Sequence, residues 1–379
     1  MKDFFFYLYI GVYVALACVI VYIASGEKRV ILFGFTRKQS NLIYVLFLSL
    51  IMGILACCRP MIVADTQNYY EFFLQEQDWK GLFRNGFFPG RRFNNMETLF
   101  ALLVWGLKDA GFSFRAILFF FGFVNTFLFL FGAWKIAERY FGEKTDIIHL
   151  IALYFSMFGL LYSCIAIRGG LSLGLSLCAI ALLVNKKWLP GILVLYLAVL
   201  SHVMALLSIP AFLLFMITMR AKKPCSTKLI LCVFFLCFFV LFFNLGSFFI
   251  ETLAAFGLSL FSRWNISSMT KYLSEILDKN VSIKCWILVI SSFILLFILA
   301  KKTDQYKKLP YLVLVGALIL SFLYPIRSIS RAADYFYIFL LPMAAAYQKK
   351  KLSVFQRLCV TFGVNALYLV VMSYIASIY

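Results

Sequence analysis

Charge is the scarcest ingredient of this chain. Of 379 residues only 14% are charged and 64% are apolar, with a mean hydropathy of +0.93. Soluble domains are nearer half apolar and a quarter charged. A chain of this composition would expose far too much apolar surface to water, which excludes soluble enzymes, DNA-binding domains and secreted disulfide scaffolds. Negative charge is scarcest of all, with 16 acidic residues against 36 basic ones and only two histidines. No G-x-x-x-x-G-K-[ST] or G-x-G-x-x-G is present to hold a nucleotide. The ten cysteines form no C-x-x-C pair, and neither D-x-D nor H-E-x-x-H occurs. Disulfides, a metal and a cofactor are therefore not expected. Internal repeats and low-complexity tracts are also lacking.

What is there is a succession of apolar runs punctuated by Lys and Arg. Runs long enough to cross a bilayer lie near 4–24, 41–58, 114–134, 147–165, 169–185, 228–246, 283–300, 309–325 and 354–378, with shorter ones at 188–201, 203–219 and 335–347. A span needs roughly 20 residues. The first run lacks an A-x-A site and reads as a span rather than a cleaved leader. Hydropathy leaves 97–111 open, and charge arbitrates. With 97–111 kept out of the membrane crossings, the loops 27–38, 135–146, 186–187, 220–228, 301–308 and 349–357 are all cytoplasmic and hold 21 of the 36 basic residues. That is the positive-inside bias, and it inverts if 97–111 crosses. The expectation is an all-α polytopic membrane protein, one transmembrane domain over 1–379. It has about twelve spans, an outer-face interfacial or re-entrant helix at 97–111, and long outer loops near 59–113 and 247–282. The +20 charge marks orientation, so no nucleic-acid partner is expected.

Under this topology the two basic residue types part company. Sixteen of 22 lysines are inside, whereas nine of 14 arginines are outside: 59, 84, 91, 92, 115, 168, 263, 327 and 331. Guanidinium recognises phosphate or carboxylate through paired hydrogen bonds, where ammonium is a point charge. An outer face loaded with arginine suggests an anionic ligand.

Ionisable groups at span edges are functional candidates by default. Asp65, in A-D-T-Q-N-Y-Y-E-F, is a candidate base or sugar-orienting group, or else a helix N-cap. Glu97 opens the interfacial helix, either as a site carboxylate or as a favourable charge in a first turn. Arg91 and Arg92 suit phosphate or lipid headgroups equally. Arg168, in I-R-G-G, precedes two glycines that allow close backbone approach to a ligand; the alternative is an arginine snorkelling to the outer surface. His202 interrupts an apolar stretch with basic residues at both ends. The stretch must double back, putting His202 near the tip of a hairpin by the outer face, where it would carry a proton, donate to phosphate, or serve only as a core histidine. Arg327 and Arg331 are four apart and share a helix face, with Asp334 three further on to orient Arg331 or to form a plain ion pair.

Taken in order, Asp65 with Tyr69 and Tyr70, Glu97 running to Gly111-Phe-Ser-Phe, I-R-G-G at Arg168, A-x-x-S-H ending at His202 and R-x-x-x-R-x-x-D-Y-F from Arg327 resemble the EpsG-like, Wzy-type polymerases of O-antigen and capsular polysaccharide. The resemblance implies a GT-C-like glycosyltransferase at the outer face of the bacterial cytoplasmic membrane. Such an enzyme transfers a growing glycan from undecaprenyl diphosphate to the non-reducing end of another lipid-linked repeat unit, so the partners are those lipid-linked oligosaccharides and membrane lipid, with a chain-length regulator as a further partner. Arg168, Arg327 and Arg331 would grip the diphosphate, and Asp65, His202 or Glu97 would act as base. The family often has Gln or Glu soon after the mid-chain arginine, where this chain has Gly-Gly. The rival readings are an O-antigen ligase, which carries a large outer loop late in the chain, and a lipid-linked oligosaccharide flippase, which tends to show two related halves.

Overall fold

The computed structural model describes residues 2–25, 35–63, 65–85, 92–93, 96–142, 145, 147–220, 225–252, 310–325 and 331–345, with short pieces between 285 and 296. The described residues are almost wholly helical. They fall into two compact units, Met1–Leu206 with Leu341–Tyr379, and Leu207–Leu340.

In the first unit the helices are α1 (Lys2–Ser25), α2 (Arg37–Cys58), α3 (Thr66–Leu74), α4 (Trp79–Asn85), α5 (Thr98–Asp109), α6 (Phe114–Phe141), α7 (Ile147–Tyr154), α8 (Ile167–Val184) and α9 (Trp188–Ser201). A two-stranded hairpin, β1 (Arg92–Phe93) and β2 (Met96–Glu97), precedes α5, with Arg92 opposite Glu97. The second unit contains α10 (Ser208–Arg220), α11 (Thr227–Phe242), a helix at Pro310–Leu323 and a 3-10 turn at Arg331–Ala333 that passes into the short helix Asp334–Tyr337.

Six helical segments among the described residues are long and apolar enough to cross a membrane: Phe4–Ala24, Arg37–Cys58, Phe114–Tyr140, Ile147–Ile165, Ile167–Val184 and Val203–Arg220. A bent pair, Thr227–Phe242 and Leu245–Thr252 at 77°, makes a seventh if it is one span. Trp188–Ser201 and Pro310–Leu323 are apolar but shorter. The protein is thus an all-α multi-pass membrane protein, with a two-stranded hairpin as its strand content among the described residues. The run at 354–378 and the loop at 253–282 lie outside the described residues.

The segment 97–111 forms a helix of 12 residues, about 18 Å long at 1.5 Å per residue and well short of a bilayer's hydrocarbon thickness. Its neighbours explain why it stays at one end. The α2 and α6 helices run antiparallel in close contact: a Cβ on Gly53 would meet Phe119 at 3.0 Å, and one on Gly122 would meet Ala56 at 2.5 Å. Arg115, at the start of α6, donates to the Cys57 carbonyl at 2.9 Å and also to that of Arg59. The chain therefore leaves α2 and enters α6 at the same end of the bundle, and the described residues between them form a cap there. This cap has its own apolar core, in which Phe72 stacks on Trp105 (centroids 5.7 Å), Trp105 meets Trp79 edge-on (5.6 Å) and Phe100 stacks on Phe121 (4.8 Å). Lys108 ties α5 to α3 through the carbonyls of Phe73 (2.7 Å) and Gln75 (3.0 Å).

Between α7 and α8 the chain winds as a π-helix, Phe155–Ile165, buried along its whole length. Such winding is rare and recurs at functional sites. A buried triangle of hydroxyls stabilises it: Tyr154 to Ser163 at 2.5 Å, and Thr126 of α6 to both, at 3.0 and 2.9 Å. Tyr154 and Ser163 are nine residues apart. At 3.6 residues per turn they would point to opposite sides of a helix, whereas the wider π turn brings them to one side.

Candidate functional site

The capped end of the bundle is where charge is buried. Glu97 is 3% exposed. It stands at the N-cap position of α5 with an extended backbone (φ −70°, ψ 149°), yet its side chain makes no cap hydrogen bond. Its carboxylate turns instead to Arg168, whose Nη1 donates to Oε2 at 2.7 Å. Glu97 thus stands at the N-terminus of α5 and also forms an ion pair between the cap and α8.

Tyr69, buried on α3, is the second contact of Arg168. The guanidinium lies 5.7 Å from the ring centroid, and the phenol and guanidinium are hydrogen-bonded. A second guanidinium, that of Arg59, lies 5.6 Å from the same ring. Burial pushes the Tyr69 phenol above its usual pKa; Arg168 and Arg59 oppose this, while Asp65 adds to it. Cations beside an aromatic ring are attracted to its face, more strongly where water is scarce.

Asp65 occupies the N-cap position of α3 but does not behave as a cap. Its backbone is left-handed (φ 62°), a conformation that costs a non-glycine residue free energy, and its carboxylate makes no cap hydrogen bond. The carboxylate acts electrostatically on both Tyr69 and Arg59. The aspartate is thus released from capping and acts on the Arg59 guanidinium.

The position of Arg168 is set by the π-helix. Ala166 closes the last π turn on the Leu161 carbonyl at 2.6 Å, and α8 starts at once. Asn125 of α6 donates to the carbonyls of Tyr162 and Ile167, each at 2.9 Å, and so pins both sides of the junction. The two glycines after Arg168 serve this packing. A Cβ on Gly170 would lie 1.9 Å from the Tyr162 carbonyl and 2.6 Å from Asn125 Nδ2, and one on Gly169 would lie 3.3 Å from the Tyr162 ring.

His202 arrives by a different route. The α8 and α9 helices form an antiparallel hairpin: Gly191 abuts Leu183, and Ser172 donates to the Ala198 carbonyl at 3.1 Å. One turn back along α8 from Ser172 is Arg168, and one turn forward along α9 from Ala198 is His202, so the register brings the two to the same level. The helix stops at His202, whose backbone is extended, and its Nδ1 accepts from the Met204 amide at 3.2 Å. With Nδ1 accepting, Nε2 is the nitrogen left to carry or donate a proton.

Asp65, Glu97, Arg168 and His202 thus gather at one end of the first unit, and Arg92 joins them through its backbone pairing with Glu97. Arg91 and Arg327 lie outside the described residues. Arg331 and Asp334 belong to the second unit, where Arg331 opens the 3-10 turn and Asp334 starts the following helix. A 3-10 turn brings residues three apart onto one face, so the turn keeps Arg331 and Asp334 on the same side of the chain. Sequence reasoning missed Arg59 as a site residue. The available signal was a charge directly after an apolar run and six residues before Asp65.

A family model, the EpsG family, matches residues 42–378, and the chain belongs to that family. The family is of polysaccharide-polymerase type, which makes this a multi-pass membrane protein of polymerase-like class. No curated protein and no solved structure matches the chain significantly.

Proposed function

We propose that the protein is a membrane glycosyltransferase, a repeat-unit polymerase with a GT-C-like architecture of about twelve spans. It transfers a growing glycan from undecaprenyl diphosphate to the non-reducing end of another lipid-linked repeat unit, at the outer face of the bacterial cytoplasmic membrane. The observation that carries this reading is the buried Glu97–Arg168 pair beside Tyr69 and the strained Asp65, in a chain of the EpsG family.

The chemistry follows from the charges. As the glycosidic bond to the diphosphate breaks, negative charge accumulates on the leaving group. Preorganised guanidinium in a site poor in water stabilises that charge without reorganising. Arg168 is assigned this role, with Arg327, Arg331, Arg91 and Arg92 as further diphosphate ligands and Asp334 orienting Arg331. The acceptor hydroxyl loses a proton as it attacks, and Asp65, His202 and Glu97 are the groups able to take it. Glu97 already holds Arg168, which leaves Asp65 and His202 as the better bases. The departing diphosphate supplies the driving force, so no nucleotide is required and no metal is assigned to the mechanism. A chain-length regulator fits as a partner.

The test is polysaccharide banding in a host deleted for the gene and complemented with wild type, Arg168→Ala, Asp65→Ala or His202→Ala at matched protein levels. A deletion that leaves one repeat unit on the acceptor, with a ladder restored only by wild type, supports the polymerase. A deletion in which no unit reaches the acceptor would sink it in favour of ligase or flippase.

A further inference from the structure

Arg59 is the least explained charge in the first unit. Its side chain is wholly buried, at 0% exposure. Only Nη1 is engaged, donating to the carbonyl of Cys164 and, at 3.3 Å, to that of Ile165, the last two residues of the π-helix. Nε and Nη2 have no hydrogen-bond partner among the described residues. Leaving buried donors of a charged group unmade is expensive. Burial also lowers the pKa of this guanidinium, opposed by Tyr69, Tyr9, Cys164 and Asp65 in that order. A lysine would supply charge here with fewer directional donors; only the arginine fork offers two further N–H groups in one plane.

The position of these open donors matters. Arg59 and Arg168 both lie within 6 Å of the Tyr69 ring centre. Asp65 acts electrostatically on Arg59 and on Tyr69.

We infer that Arg59 is a second diphosphate ligand of this site, taking one phosphate on Nε and Nη2 while Arg168 takes the other, with Tyr69 as the spacer between them. The inference rests on the diphosphate reading above and deepens it, because it makes Arg59 the residue that distinguishes a diphosphate from a monophosphate. One guanidinium is enough to hold one phosphate, and the second contributes only when a second phosphate is present.

The test uses the purified full chain in lipid nanodiscs, with inorganic pyrophosphate and inorganic phosphate as probes in calorimetric titrations of wild type, Arg59→Gln and Arg59→Lys. The expected result is that Arg59→Gln weakens pyrophosphate binding roughly ten- to hundredfold, the scale of a charge-assisted hydrogen-bond pair, and shifts phosphate binding by less than about twofold. Arg59→Lys falls between the two, because it keeps the charge and loses the fork. It also keeps the question open to experiment if the glutamine variant fails to fold. Equal weakening of both probes in a folded variant overturns the inference, since a purely structural arginine would act on both. Unchanged affinities overturn it as well, and would assign the open donors to water. A wild-type protein that binds phosphate and pyrophosphate alike overturns the diphosphate reading itself, a different failure recognisable before any variant is made.

Discussion

The two ends of the α6–α8 pair carry the same kinds of ions in opposite settings. At the capped end Arg168 holds Glu97 at 2.7 Å, with side chains 24% and 4% exposed. At the other end Lys135 holds Glu138 at 2.8 Å, with exposures of 32% and 21%, and Lys38 reaches the same carboxylate at 3.6 Å. That end opens on a cavity of about 590 Å³ lined by Phe131, Lys135, Glu138, Arg139, Cys178 and Lys187 among others. Bond lengths alone would rank the two pairs as equals. Burial separates them: the first pair is shielded from water and salt, whereas the second is partly hydrated and screened. The residue types follow the same division. Arginine, with its directional fork, is at the buried end, and lysine, a point charge that sets orientation, dominates the open one. The capped end keeps its ion pair largely out of water, and the other end leaves its ions partly hydrated.

The comparison breaks most readily at Arg168. Arg168→Ala is expected to lower glycan polymerisation by at least about a hundredfold, the scale seen when one preorganised charge stabiliser is removed. Arg139→Ala, at the open end, should stay within about twofold of wild type in the same banding assay. A large loss from Arg139→Ala would erase the distinction between the ends.

The next effect concerns the junction that positions Arg168. Gly170→Ala puts a methyl group 1.9 Å from the Tyr162 carbonyl and 2.6 Å from Asn125 Nδ2, so the π-helix or α6 must move. Overpacking of this kind costs about 1–3 kcal/mol, which should appear as a lower melting temperature in detergent. Gly106→Ala, where nothing lies within 4 Å of the new methyl, is the control and should be neutral or slightly stabilising.

Glu97→Gln then sharpens the electrostatic contrast. It leaves Arg168 mostly buried without its counter-charge, and with a quarter of that side chain exposed the cost is about 1–2 kcal/mol. The melting temperature should fall by a similar amount at low and at high salt. Smallest of all, Glu138→Gln at the open end should cost no more than about 0.5 kcal/mol and lose even that in high salt. Equal salt sensitivity of the two variants would show that the capped end is as wet as the other.

Much of the candidate site is legible in the chain. Asp65, Glu97, Arg168 and His202 were each singled out as ionisable groups at the edges of apolar runs, where hydration is lost and a charge needs a reason to stay. The non-crossing reading of 97–111 followed from charge bias, and a short helix between two chain ends at one side of the bundle agrees with it. Other features were illegible. Nothing in I-R-G-G distinguishes a glycine that admits a ligand from one that admits the Tyr162 carbonyl. Nothing in A-D-T-Q separates an aspartate that caps from one whose left-handed backbone releases its side chain. Arg59 looked like one outer arginine among nine.

By itself the sequence determined the solvent, the helical class, the orientation bias and the sorting of arginine from lysine, because these depend on composition and on spacing along the chain. Only the tertiary structure decided that Glu97 pairs with Arg168, that two guanidiniums lie within 6 Å of the Tyr69 ring centre, and that Arg168 and His202 reach the same level. Those contacts join residues far apart in the chain, Glu97 and Arg168 being separated by 71 positions and Tyr69 and Arg168 by more. Their existence depends on the phase of a π-helix and the register of a helical hairpin, which arise when surfaces pack against each other and leave no periodic trace in the chain.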